Sequence, residues 1–576
     1  MTHLYSANSL QHYEDGTPKC ASHANGPDLY IVEPRIETSG CDDLIANGDM
    51  EAGTKFWYHR NNRATNNGAL VAMPNAGRGG TAAIMNVNRT SYHHGPGQQL
   101  DTRCFHQNEN QYYEINVWFR LEKNTLPFIC DKWERTSALS RCPEVTIKNT
   151  NYDDPSTKED LVTRYDHKGF TAMPNDSNDF NLIHGVMKIN QEMSRIQQAW
   201  IFAEYAHNTL DFIIDSFSLT KIVLACNDEF IRNGDLEYGR SVFWHSYGTV
   251  KYNVIDVEST KAIEVTEKSH DDHGLRQTLY ANPDCVKEYD RFTIIAKFRL
   301  RNSQGIAVEC DRTESSSAIK CGELYVDTSS PLGNRYELVS PAVAIAEDEK
   351  TAWGKYAGIY TLTEKETNFT GLHLRLSGTD KDATVIYDDI TMKPIPKNCD
   401  NMVLNHSFQS GDTSFWKPTH HWVTYDVIRG GVQNGEYVLQ FQREQASNWH
   451  YIYQDLDARC FQEGQKFEIR AFFKILDRSS NDAAMTCDIA QTSTNNSEHC
   501  PLIYMIGKGC DDGDVSVNLW NKKSDTWVPE SFNEFVYDFP VDSNLASCKI
   551  VRVGIGRGAI LNQKILIDNI SFGHQR

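Results

Sequence analysis

"CDDLIANGDMEAGTKFWYHR", residues 41–60, returns in altered form as "CNDEFIRNGDLEYGRSVFWHS" from Cys226 and as "CDNMVLNHSFQSGDTSFWKPT" from Cys399. Each version is a cysteine, a short apolar stretch, an Asn-centred turn and a Phe-Trp pair. The spacing is that of whole domains, too long for the units of a solenoid. It divides the chain into a polar N-terminal tail, 1–40, and three units, 41–225, 226–398 and 399–576. Only "TKIVLA" separates the first unit's closing strand from Cys226, and "KPIPKN", stiffened by two prolines, precedes Cys399.

The cysteines keep step through the copies: 41, 104, 130 and 142; 226, 285, 310 and 321; 399, 460, 487 and 500. No CxxC or HExxH arrangement accompanies them, so a disulfide framework in an oxidising compartment is expected rather than zinc. The first two cysteines of each unit are expected to pair: Cys41 with Cys104, Cys226 with Cys285, and Cys399 with Cys460. The last two do likewise: Cys130 with Cys142, Cys310 with Cys321, and Cys487 with Cys500. By chain entropy alone each of these short loops is worth about 3 kcal/mol. Cys510 and Cys548 are extra in the third unit and form a further pair, which leaves Cys20 over.

The periodicity is that of strands. "YEINVWFRL" (113–121), "FTIIAKFRL" (292–300) and "FEIRAFFKI" (467–475) hold equivalent places and are rich in β-branched and aromatic residues. "TLDFIIDSFSL", "ATVIYDDITM" and "KILIDNISF" close the units, with one acid in register at Asp215, Asp388 and Asp568. Long amphipathic helical patterns are scarce. The expected fold is all-β: three tandem antiparallel β-sandwiches with polar loops at their ends.

Composition narrows the partners. The 576 residues carry a net charge of −20, with 57 Lys+Arg against 77 Asp+Glu. There is no basic surplus to displace counterions from phosphate, so nucleic acid is not an expected partner. No apolar run reaches the roughly 20 residues of a membrane-spanning helix. The N-terminus lacks the basic and apolar regions of a signal peptide, so an exported protein would have its leader outside this chain. Asn88, Asn175, Asn368, Asn405, Asn495 and Asn569 stand in N-x-S/T, which a secretory route would permit to be glycosylated.

An opening "NGDxExG…FW", a polar loop leading into "QxL", a "YEINVWFRL"-type strand and a closing hydrophobic-Asp-Asp/Asn/Ser-hydrophobic-Ser resemble the CenC-like carbohydrate-binding modules of families four and nine. The resemblance covers about residues 41–576, and the cysteine framework departs from the usual family pattern. It implies jelly-roll sandwiches of the galactose-binding-like type, often appended to glycoside hydrolases. It also implies a structural calcium between the opening segment and the closing strand. Carried across, the carboxylates are Asp49, Glu51 and Asp215 in the first unit and Asp235, Glu237 and Asp388 in the second, a hard-oxygen set. The third unit has Ser407 and Gln409 where the others have acids. The bland alternative is that Asn-Gly-Asp makes a turn and the acids cap it.

A sugar site needs aromatic platforms and planar hydrogen-bonding side chains, because rings present apolar faces rimmed by hydroxyls. The loop ahead of "QxL", near the ligand groove in the family, supplies Tyr92, His93, His94 and Gln98; His270, His273 and Gln277; and Trp449, His450, Tyr451 and Gln454. Trp57, Trp244 and Trp416 recur unchanged and are assigned to the core. No nucleophile elbow, phosphate loop or zinc-protease motif occurs, so an enzyme is not expected. The function expected is non-catalytic binding of polysaccharide or glycoprotein glycan, in a secreted, cell-surface or cell-wall setting. Two other readings stay open: an extracellular adhesion or matrix protein using the sandwiches for protein contacts, and an accessory region of a glycoside hydrolase whose catalytic domain lies elsewhere.

Overall fold

Alternation decides which face of each strand is buried. In Tyr112–Lys123, Tyr113, Ile115, Val117, Phe119 and Leu121 point into the core, while Glu114, Asn116, Trp118 and Arg120 take the other side. The protein is described by a computed structural model that covers residues 41–574 apart from 60–67, 108–110, 131–138, 151–162, 166–179, 190–192, 197, 223–228, 238–240, 242, 280–286, 311, 313–318, 331–332, 348–352, 363–370, 421–422, 433–435, 444–449, 493–499, 522–525 and 557–561.

Two sheets, repeated three times in one topology, make up the described chain. The first five-stranded sheet runs, in spatial order, Tyr58–His59, Pro96–Leu100, Gln198–Glu204, Glu144–Thr150 and Thr163–Tyr165. Its counterparts are Trp244–Tyr247, Gly274–Thr278, Gly371–Thr379, Cys321–Ser330 and Gly333–Pro341, then Lys417–Pro418, Ile452–Leu456, Ile550–Gly556, Leu502–Lys508 and Val515–Leu519. Each packs on a six-stranded antiparallel sheet; the first is Ala69–Met73, Ala83–Val87, Asp211–Lys221, Tyr112–Lys123 and Leu126–Phe128, with Asn181–Lys188 also on Tyr112–Lys123. The second and third pair their strands in the same order, around Arg291–Arg301 and Lys466–Asp477. Three hydrophobic cores fill the sandwiches, one between each pair of sheets. The fold is therefore all-β sandwich, as the strand patterns lead one to expect.

Among the described residues six disulfides staple it: Cys41–Cys104, Cys130–Cys142, Cys310–Cys321, Cys399–Cys460, Cys487–Cys500 and Cys510–Cys548. Cys20, Cys226 and Cys285 lie outside the described residues. So does the tail.

The recurring opening stretch is a latch onto the closing strand. Asn47, Asn233 and Asn405 adopt left-handed backbone, with φ of 49°, 50° and 46°. At Gly48 an added Cβ would lie 2.1 Å from the Phe217 carbonyl oxygen, and at Gly234 1.8 Å from that of Ile390, so only glycine fits these two turns. The closing strand answers with N–H bonds from Phe217 to the Gly48 carbonyl (2.7 Å), from Ile390 to Gly234 (2.9 Å) and from Ile570 to His406 (2.9 Å). It reaches them through a β-bulge at Ser216, Asp389 and Asn569, each with positive φ, one residue after the in-register acid. The latch ends on Phe56, Phe243 and Phe415, with φ of 70°, 73° and 72°, which turn Trp57, Trp244 and Trp416 into their cores.

Those phenylalanines also sit at the junctions. Phe243 packs edge-on against His184 of the first sandwich, ring centroids 4.4 Å apart. Phe415 donates its N–H to the Ala357 carbonyl of the second at 2.9 Å. The second and third sandwiches are further stitched by an Ile345–Asp412 β-bridge, by N–H bonds from Ala346 to the Gly411 carbonyl (2.7 Å) and from Thr413 to the Ala344 carbonyl (2.9 Å), and by a Lys355–Asp412 ion pair at 2.8 Å. Among the described residues no helix is long and apolar enough to cross a membrane.

Candidate functional site

The loop ahead of "QxL" divides into residues that build the fold and residues that face outward. Gln98 is buried and clamps the backbone of Ala46, accepting its N–H at 2.7 Å and donating to its carbonyl at 2.8 Å. Gln277 does the same to Arg232 (2.7 and 2.9 Å), and Gln454 to Leu404 (2.7 and 3.0 Å). Four residues before each glutamine stands a histidine. His94 and His450 are buried, and the His273 ring accepts the Thr249 N–H at 3.1 Å. Each of the three has a second imidazole beside it: His59 at 5.6 Å, His270 at 4.9 Å and His420 at 5.2 Å between ring centroids. Burial, then His94 and Arg89, push His59 down to about 4.

Tyr92, His93 and Tyr451 are placed differently. Tyr92 is 39% exposed and forms an aromatic group with His93 (4.1 Å) and Tyr205 (5.8 Å), with the Arg141 guanidinium 4.5 Å over Tyr205. Tyr451 lies on the outer face of its five-stranded sheet, tilted against Tyr504 at 5.0 Å. His270 is exposed, and Trp449 falls outside the described residues.

The outer faces of the five-stranded sheets carry groups that the sequence motifs do not mark. In the first sandwich, Tyr58 meets Trp200 edge-on at 4.9 Å and Phe202 at 6.2 Å. In the second, Arg375 is ringed by Tyr325 (4.2 Å), Tyr247 (4.6 Å) and Tyr336 (5.4 Å), and its Nε is held by both carboxylate oxygens of Asp327 at 3.1 and 2.9 Å. Burial pushes the Asp327 carboxyl up, and Arg375 offsets this only in part. Tyr336 remains 55% exposed. In the third, Tyr451 and Tyr504 join Leu502, Ile506 and Trp520 in one apolar cluster, beside Tyr453 under the Arg552 guanidinium at 4.6 Å. Arg552 is bonded to Asp455; burial pushes that carboxyl up, but Arg552, Lys417 and Arg291 together hold it below the usual carboxylate range.

Register makes the three faces comparable. Gln98 pairs with Ile201, Gln277 with Leu374 and Gln454 with Val553, so the next outward position is Phe202, Arg375 and Gly554 in turn. An aromatic ring, a guanidinium and a glycine covered by the Tyr451 ring thus occupy one scaffold point. At Gly554 an added Cβ would come within 2.7 Å of the Tyr451 ring.

The acids of the opening and closing motifs converge on one hairpin in each of the first two sandwiches. Glu51 accepts the Ala82 N–H at 2.9 Å, and Asp215 accepts the Arg78 N–H at 2.8 Å and the Thr81 hydroxyl at 3.3 Å. Glu237 accepts the Lys261 N–H at 3.1 Å, and Asp388 accepts the Thr260 hydroxyl at 3.1 Å. Asp49 and Asp235 instead accept the N–H two residues on in their own turns, from Glu51 (3.3 Å) and Glu237 (3.4 Å). Among the described residues no group of three or more His, Cys, Asp or Glu is gathered closely enough to hold a metal. What fits a hard cation is two carboxylates per hairpin, with turn oxygens beside them. Asp215, Asp388 and Asp568 are buried; desolvation, with Asp389 nearby, raises Asp388, and desolvation raises Asp568.

No family model matches the chain. Endo-1,4-beta-xylanase A of Thermoanaerobacterium saccharolyticum is 22% identical over 261 residues, which is 44% of this chain and 21% of that protein. The chain thus spans about a fifth of the length of that curated relative. Among solved structures, the CBM22-1–CBM22-2 tandem of Paenibacillus barcinonensis Xyn10C is 15% identical, covers 61% of this chain and 99% of its own, and has a TM-score of 0.24. The C-terminal family 22 module of Clostridium thermocellum Xyn10B is 10% identical, covers 27% of this chain and 87% of its own, at a TM-score of 0.20. TmCBM61 in complex with beta-1,4-galactotriose is 12% identical, covers 30% of this chain and 99% of its own, at 0.19. These neighbours are carbohydrate-binding modules, two of them of family 22 rather than of the families that the motifs resemble.

Proposed function

We propose that the chain binds polysaccharide or glycoprotein glycan without catalysis, through three tandem CenC-like units, 41–225, 226–398 and 399–576, outside the cell. One observation carries the reading: each five-stranded sheet bears an aromatic group on its outer face, beside a paired arginine and aspartate in the second and third sandwiches. Tyrosine and tryptophan rings match the apolar faces of sugar rings, and fixed ionic pairs present hydrogen-bonding atoms without a net charge that a neutral sugar would have to meet. Phe202, Arg375 and Gly554 at one register suit three different ligands or three stretches of one polymer. The disulfide framework suits an oxidising compartment.

Catalysis is not part of the reading. On the first face Glu144 and Glu204 stand opposite one another, but Glu144 is tied to Arg141, and Ser377 and Gly556 replace Glu204 in the other two. The sugar contacts we propose are Tyr92, His93, Tyr58 and Trp200 in the first unit, Tyr247, Tyr325, Tyr336 and His270 in the second, and Tyr451, Tyr453 and Tyr504 in the third. As a structural cofactor we propose calcium at the hairpins, held by Glu51 and Asp215 and by Glu237 and Asp388. Calorimetric titration of the oxidised protein with xylohexaose and with β-1,4-galactotriose tests the function. Binding is expected, and Trp200→Ala, Tyr336→Ala and Tyr451→Ala should each weaken one site about tenfold, equivalent to about 1.4 kcal/mol. Binding that none of the three changes would sink the assignment of these faces.

A further inference from the structure

Between the second and third sandwiches lies a cleft of about 1010 Å³, on the side of the six-stranded sheets and therefore away from the aromatic faces described above. Phe298, Leu300, Val308 and the Cys310–Cys321 disulfide form one wall, and Val427, Ile428 and Gln440 form the other. Neither sandwich makes the cleft alone. Its walls are held in place by the backbone stitching at Ala344, Ala346, Gly411 and Thr413, and by Arg291, whose guanidinium donates to the Asp455 carbonyl. A preorganised concavity of this size is at the upper end of what ligand sites use.

The lining chemistry is that of a neutral, hydroxyl-rich ligand. Arg299, Arg312 and Arg429 are balanced by Glu309, Glu347 and Asp426. Arg312 is paired with Asp426 across the junction, and Arg299 with Glu258 at 2.9 Å, so the cleft offers no net charge to attract an ion. Trp353, partly buried, lines the cleft; the Arg299 guanidinium lies 4.6 Å over its ring and the Val257, Ala262 and Ile386 cluster packs against it, and together they fix the indole in place. An extended peptide is the competing occupant, because Val423–Arg429 is the edge strand of its sheet. Arg312 disfavours it: the guanidinium bonds the Tyr425 carbonyl at 3.2 Å and occupies the edge where a peptide would pair.

We infer that this junction cleft is a further carbohydrate site, taking a short neutral oligosaccharide across Trp353 and Gln440, and formed only when the second and third units are joined. The inference rests on the carbohydrate reading of the sheet faces. The test titrates the full oxidised chain with xylohexaose, comparing wild type, Trp353→Ala, Ile428→Trp (which fills the cleft without emptying the core) and a triple face variant, Trp200→Ala/Tyr336→Ala/Tyr451→Ala. Each cleft variant should bind one equivalent fewer than wild type. The triple variant should keep one equivalent of unweakened affinity beside its weakened face sites, and adding Ile428→Trp should remove that equivalent. If Ile428→Trp and Trp353→Ala leave every site unchanged, or the triple variant loses all binding, the cleft is overturned while the face reading stands. Wild-type protein that binds no xylohexaose overturns both. A peptide whose binding Ile428→Trp blocks, with sugar binding unaffected, would replace the sugar by a strand-adding partner.

Discussion

Gln98, Gln277 and Gln454 show how a polar residue next to a proposed ligand loop can belong wholly to the fold. Each satisfies both polar atoms of one backbone residue in the opening stretch, inside the sandwich. Gln277→Ala would leave the Arg232 N–H and carbonyl without these partners, a cost of about 1–3 kcal/mol for a buried group. The variant should melt lower than wild type, with unchanged oligosaccharide affinity in the folded protein; equal melting temperatures would contradict this. The glutamines recur unchanged in all three copies, as the tryptophans do, and such constancy signals a structural role. For the tryptophans the signal is plain in the sequence; for the glutamines it is masked, because an amide before a strand looks equally suited to a sugar hydroxyl.

Titration belongs to the same scale. His59 and His373 are both pushed down to about 4, mainly by burial, with His94 and Arg89 adding for the first and Arg276 for the second. Each binds fewer protons in the folded chain than in the unfolded one, where histidine titrates near 6.5. Their contribution is therefore present above about pH 6.5 and is lost as the pH falls towards 4. Melting temperature should drop across that window, and His373→Gln should flatten the drop; an unchanged slope would count against it.

At the scale of elements, the opening and closing motifs were legible and the strands proposed to carry the sugar contacts were not. "NGD", "FW" and the closing Asp-Asp/Asn/Ser repeat because each residue meets one geometric demand, whether a left-handed turn, a close approach, a buried ring or a bulge. Gln198–Glu204, Gly371–Thr379 and Ile550–Gly556 share no motif, since only their inward positions are held in common and their outward ones differ. Period-two alternation in "QAWIFAE" would have marked Trp200 and Phe202 as outward residues. The bulges also carry the calcium proposal, because they aim Asp215 and Asp388 at the hairpins that Glu51 and Glu237 reach. Calcium should raise the melting temperature and chelator reverse it, with Glu51→Gln/Glu237→Gln abolishing the response. A melting curve indifferent to calcium would leave the acids as caps of their turns.

Across the whole molecule the three sandwiches are joined unequally. The second and third share backbone bonds and ion pairs, whereas the described contact of the first with the second centres on Phe243 against His184, which is bonded to Glu114 at 3.0 Å. Faces linked in one chain raise one another's effective concentration on a polymer, so modest single-site affinities give firm retention on an insoluble polysaccharide. The measurement that bears most directly on this is retention of the full oxidised chain on insoluble xylan and other polysaccharides, against Trp200→Ala/Tyr336→Ala/Tyr451→Ala with a matched melting temperature. Wild type should be retained, and the triple variant, with its three faces weakened and only the junction cleft intact, should elute well ahead of it. Folded wild-type protein that no polysaccharide retains, or a triple variant retained as well as wild type, would contradict the account.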